Sequence, residues 1–157
     1  MFFYTTIAFL LLCFIQDVKY RGIFWIVFPL LLASCVLLRW ETLMWKDLIF
    51  NFLFLTATML GLTFYLSIKL KKRILITNGH FSLGDILFLI AIIPLFSLDE
   101  YILFFTAGTI FTLLIHILIN QVKKQQTIPY AGYMSIATIL VLVFQGSIRN
   151  NFAQSWM

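Results

Sequence analysis

Six of the 157 residues are acidic, and two of them stand apart. Glu41, Asp47, Asp99 and Glu100 fall in polar connections between apolar runs, where a hydrated carboxylate needs no explanation. Asp17 closes the first apolar run, and Asp85 opens the fourth, 68 positions later. A carboxylate at the edge of hydrocarbon is costly unless it is paired, solvated or used. Two carboxyls held close together cannot both ionise easily and come to share a proton. The ionised member then activates a water while the protonated one polarises a carbonyl, which is amide hydrolysis without a metal or a covalent nucleophile. A plainer reading stays open. Asp17 pairs with Lys19 or Arg21, Asp85 pairs with the basic residues from Lys69 to Arg73, or either one caps a helix end.

For these carboxylates to meet, the chain between them must fold back on itself inside a bilayer. Hydrophobic residues make up 62% of the chain, only 11% are charged, and the mean hydropathy is +1.03. A soluble domain carries about a quarter charged residues, so polar surface is too scarce here to cover a water-exposed globule. Hydropathy marks six spans, roughly 2–16, 23–38, 48–68, 84–98, 101–120 and 128–147. The expected fold is all-α, a polytopic membrane bundle of about six transmembrane helices forming a single domain over 1–157. The second and fourth runs are short against the ~20 residues that a span needs, so their helices are expected to extend into the interfaces. The first run lacks a basic leader and a small-residue cleavage site, and is read as a retained helix.

The net charge of +5 would point to nucleic acid in a soluble protein, but here the basic residues lie in loops. Lys19, Arg21, Lys69, Lys71, Lys72, Arg73, Lys123 and Lys124 follow the odd-numbered spans, against Arg39, Lys46 and Arg149 on the other side. By the positive-inside rule the first group is cytoplasmic. Both termini then face outward, Asp17 and Asp85 share the cytoplasmic side of a cell membrane, and no nucleic-acid partner is expected. Cys13 and Cys35 sit inside apolar runs and read as small buried side chains, not a metal site. His80 reads as a solvated loop residue, His116 as a neutral histidine bonded to a neighbouring helix, and Pro129 as the start of the last span.

Three segments carry a family resemblance. Ser82-Leu83-Gly84-Asp85 resembles the G-x-G-D motif of intramembrane aspartic peptidases, in which a glycine before the aspartate lets a substrate backbone come close. Gln16-Asp17-Val18-Lys19-Tyr20-Arg21 resembles the stretch around the first aspartate of type IV prepilin peptidases. Ile128-Pro129-Tyr130-Ala131-Gly132-Tyr133 looks like that family's Ile-Pro-Phe segment opening the last helix. The segments follow the family's order. Ser82 stands where the first glycine is usual, Leu87 where a lysine is usual, and Phe24 where a proline is usual.

The resemblance implies an aspartic endopeptidase with Asp17 and Asp85 as catalytic residues, Gly84 at the substrate, and a prepilin or pseudopilin-like precursor as substrate. It implies no cofactor and no metal. Larger family members carry a cysteine-rich N-terminal region that goes with methylation, and two cysteines cannot build it, so the chain is expected to be the short form. Two other readings compete: a small transporter or channel subunit whose aspartates handle cations or protons, and a catalytically inactive homologue. The uneven split of basic residues makes a direct prediction. Reporter fusions or cysteine labelling should place Lys71 and Lys123 on one side of the membrane, and Glu41 and Asp99 on the other. Lys71 and Asp99 on the same side would dismantle the six-span topology.

Overall fold

The computed structural model describes residues 2–69, 82–122 and 128–154, apart from the side chains of 120–122 and 146–154. His80, Lys71, Lys72, Arg73, Lys123 and Lys124 lie outside the described residues. Among those described there are six α-helices and no strand: α1 (Phe2–Tyr20), α2 (Val27–Leu38), α3 (Trp45–Lys69), α4 (Leu83–Ala91), α5 (Leu98–Val122) and α6 (Tyr130–Gln154). The fold is an all-α bundle. Helices α1, α3 and the Leu98–Ile119 stretch of α5 are long and apolar enough to cross a membrane, whereas Val27–Leu38, Leu83–Leu95 and Tyr130–Gln145 are apolar but shorter.

The second and fourth runs do not lengthen into the interfaces as expected. Residues 24–26 form a turn, held where Gln16 Oε1 accepts the Phe24 N–H at 3.0 Å, so α2 begins only at Val27. Helix α4 stops after nine residues and passes into a 3-10 turn, Ile93–Leu95. Pro94 has no N–H to donate and its ring crowds the preceding turn, which ends the α-helical ladder there.

The interior is mostly apolar, but so is much of the surface. Only Asn51 and Leu55 are buried on α3, while Ile49, Leu53, Leu60, Phe64 and Ile68 point outward. Thr6, Ser34, Ser135 and Thr138 are buried instead, each hydroxyl bonded to a carbonyl of its own helix. Apolar side chains facing out and polar ones facing in suit a bundle whose solvent is lipid.

Helix α1 packs mainly against α6 and α2, α4 lies beside α2, and α5 stands between α3 and α6. The Asn51 amide donates to the Phe96 carbonyl at 2.9 Å, and Phe54 packs edge-on against Tyr101 and Phe105, so α3 and α5 run in parallel. Helix α6 is antiparallel to α5. Tyr130 at its start shares a hydrogen bond of 3.0 Å with Thr109, and Gln145 near its end shares a cavity with Asp99 and Glu100.

Beyond Thr109, α5 therefore continues for 13 residues past the start of α6, about 20 Å of helix. Helix α1 ends lower, at Tyr20. Arg21 takes a left-handed conformation (φ 55°) and its N–H returns to the Asp17 carbonyl at 3.1 Å. Exposed Tyr20, Phe24 and Trp25 surround this turn, as aromatic side chains do at a membrane interface. One end of the bundle is thus stepped, low at α1–α2 and high at α3 and α5.

The Asn51 bond supplies the stability test of this arrangement. Asn51→Leu leaves the Phe96 carbonyl without its donor and should lower stability by about 1–2 kcal/mol, read by denaturant unfolding in detergent micelles. A loss below a few tenths of a kcal/mol would show that this bond does not tie α3 to the start of α5.

Candidate active site

The first turn of α6 organises the site. A helix begins with four N–H groups that have no partner within the helix. Here Tyr130 N–H turns back to the Ile128 carbonyl at 3.0 Å, and Tyr133 N–H reaches the Pro129 carbonyl at 3.1 Å. The two amides between them, Ala131 and Gly132, are donated to side chains far away in sequence. Ala131 N–H donates to Asp85 Oδ1 at 3.0 Å, and Gly132 N–H donates to Asp17 Oδ2 at 2.6 Å. Three covalent bonds keep adjacent amide nitrogens within about 4 Å of each other, so the two carboxylates are brought to the same turn of α6. Asp17 is 8% exposed and Asp85 7%, and each lies within electrostatic reach of a second charge: Asp17 of Arg21, Asp85 of Asp17 itself.

Each carboxylate arrives for a local reason. On α1, Thr6, Leu10, Cys13 and Asp17 are the buried residues, spaced 4, 3 and 4 apart. That spacing places all four on one helical face, and Asp17 is its last member. On α4, Ser82 caps the helix: its Oγ accepts the Gly84 N–H at 3.0 Å, and Asp85 Oδ2 reaches back to the Ser82 N–H at 2.9 Å. This is a reciprocal capping box, and the Ser-x-x-Asp spacing is its sequence signature. The serine that departs from the G-x-G-D pattern is therefore the residue that starts the helix and aims Asp85. Of the four carboxylate oxygens, Asp17 Oδ1 alone accepts no hydrogen bond among the described residues.

Two glycines border the site. A Cβ on Gly132 would come within 3.1 Å of Asp17 Oδ2 and 3.3 Å of both Asp17 Cβ and Val18 Cγ2. A side chain here would push α1 a few tenths of an ångström away from the α6 backbone. Gly84 is half-buried beside the cap, and a Cβ there would meet Ser82 Oγ at 3.2 Å and Phe28 Cζ at 3.7 Å. A side chain there would be tight against the cap hydroxyl and in ordinary contact with the Phe28 ring.

Elsewhere, Cys13 and Cys35 are buried and free. His116 departs from expectation: its Nδ1 is buried with no hydrogen-bond partner, as is the Thr112 hydroxyl one turn earlier. Among the described residues no three His, Cys, Asp or Glu side chains converge as metal ligands. Sequence reasoning missed the Ala131 and Gly132 amides, because a backbone donor leaves no mark in composition. The available signal was Pro129 ahead of an apolar helix, which announces a first turn with amides to spare. No protein-family model, characterised protein or solved structure matches the chain.

The close approach at Gly132 can be measured. Gly132→Val overpacks the α1–α6 contact and should lower stability by about 1–3 kcal/mol, whereas Gly61→Val, with nothing within 4 Å of its Cβ position, should leave it nearly unchanged. Equal effects of the two substitutions in micelle unfolding would contradict this packing.

Proposed function

We propose that this protein is a membrane aspartic endopeptidase of the prepilin-peptidase kind, with Asp17 and Asp85 as its catalytic pair. The observation that carries the reading is the delivery of two buried carboxylates, from the end of α1 and the start of α4, to adjacent amides of α6. Both oxygens of Asp85 and one of Asp17 are held by backbone N–H groups, which sets their orientation, and Asp17 Oδ1 is left to engage the attacking water. That water attacks the scissile carbonyl and gives its proton to the ionised member of the pair. The other member, protonated, hydrogen-bonds the carbonyl oxygen as charge develops on it. Collapse of the tetrahedral intermediate returns a proton to the leaving nitrogen, so the products are one new carboxyl and one new amine.

The substrate of this reading is a prepilin or pseudopilin-like precursor, a short basic leader followed by an apolar helix. The chain is multi-pass in the cytoplasmic membrane, both termini outside, with the pair facing the cytoplasm. The low side of the step admits water and an extended peptide, and the basic residues of the odd-numbered loops suit an anionic membrane surface. A second reading has an observation behind it: every hydrogen bond that Asp17 and Asp85 make is also a helix-cap bond, so the pair could serve only to tie α1, α4 and α6 together.

Single substitutions separate the two. Asp17→Asn retains an oxygen for its one cap bond and Asp85→Asn for one of its two, and neither can ionise. Under the peptidase reading each abolishes cleavage of a precursor with a basic leader, expression and insertion stay intact, and the double variant is little worse, because groups acting as a unit are non-additive. Near-native cleavage by either variant would rule the mechanism out. Loss of folding without a specific loss of cleavage would favour the cap.

A further inference from the structure

Helices α5 and α6 separate along their length away from the carboxylates and leave a cleft of about 480 Å³ between them. Its walls are Phe104, Ala107 and Gly108 from α5, and Ala137, Leu140 and Val141 from α6. Leu103 and Leu140 on its lips are exposed, so the cleft opens sideways toward lipid. At the end away from the site, the apolar lining gives way to Asp99, Glu100 and Gln145. At the other end stands Tyr130, bonded to Thr109 and within electrostatic reach of Asp85. From the Gly132 amide to Ala137 is five residues of α6, about 8 Å.

We infer that this cleft docks the membrane-spanning helix of the substrate, and that it favours a helix with a basic residue at the end farthest from the scissile bond. The identity of that helix rests on the peptidase reading; the docking does not depend on cleavage. A whole helix, about 10 Å across, does not fit inside 480 Å³, but one ridge of its side chains does, the ridge-into-groove contact by which helices pack. Ala107 and Ala137 keep the floor low, and small residues are what bring helices together in lipid, where apolar area alone gives no drive. Charge chooses the occupant. Two carboxylates at the outer rim repel the phosphate of a phospholipid and attract a cationic side chain at the same depth. A helix lying here ends at Tyr130, and the residues continuing from it reach the carboxylates next.

The test reads binding in bilayer nanodiscs holding the full chain in the Asp17→Asn form. The probe is a synthetic single-span peptide with a basic leader, a photo-crosslinker at mid-helix, and either Lys or Glu at its far end. Crosslinks should map to α5 near Ala107 and α6 near Ala137. Ala137→Trp, filling the cleft, should weaken binding by about tenfold, with Ala107→Leu on the opposite wall acting in the same direction. Asp99→Lys, on the exposed rim, should turn the preference for the Lys peptide into one for the Glu peptide. Crosslinks elsewhere on the bundle, with binding indifferent to all three substitutions, would overturn the docking while leaving the peptidase reading intact. Crosslinks to lipid only would overturn it too, as would an Ala137→Trp effect on self-association instead of on peptide binding.

Discussion

The structure depends on what happens to the first-turn amides of α6. In hydrocarbon an unpaired N–H costs several kcal/mol. Ala131 and Gly132 N–H bond to Asp85 and Asp17, and the debt is mutual, because a buried carboxylate is equally costly alone. The positive end of the α6 backbone and the two acidic side chains thus satisfy one another. One contact accounts for three features: the bare approach of α1 to Gly132, the capping box that aims Asp85, and the convergence of two acids 68 residues apart.

Around that contact the bundle is held by shape and a few polar bonds, as expected where the solvent is itself apolar. Met134 lies against Gly108, where a Cβ would come within 2.6 Å of its sulfur. Phe54 meets Tyr101 and Phe105 edge-on, and Asn51 fixes the turn between the 3-10 segment and α5. Buried threonines and serines close their hydroxyls onto their own helices and ask nothing of neighbours. Thr112 and His116, on one face of α5, each leave a buried polar atom unpaired, and so does Asn51 at its Oδ1.

How much of this was legible beforehand differs by element. The long apolar runs that became α1, α3 and α5 were plain, because hydropathy registers length directly. The late start of α2 and the early end of α4 were not anticipated, although Pro94 marks the second; the first depends on a Gln16 side chain reaching across a turn, which no periodicity records. Asp17 and Asp85 were legible as rare charges in apolar surroundings, and Ser82-x-x-Asp85 already spelled a cap. Their meeting place was hidden, since Ala131 and Gly132 contribute only backbone. The step was hidden as well: hydropathy gives the length of a helix but not its register against a neighbour, and the Thr109–Tyr130 bond sets that register.

The step has a consequence for the surrounding lipid. Helix α2 has 12 residues and α3 has 25, about 18 Å against about 37 Å of rise, while the hydrocarbon layer is about 30 Å thick. In a bilayer one flank is too short for the hydrocarbon layer and the other more than long enough, a mismatch relieved by thinning toward α2 and by tilt or thickening at α3. Such hydrophobic mismatch is relieved by lipid deformation at a modest cost per ångström. The thinned flank is the one beside Asp17, and the depth of headgroups and water there follows the length of the neighbouring acyl chains. The lipid annulus is in that sense an adjustable wall of the site.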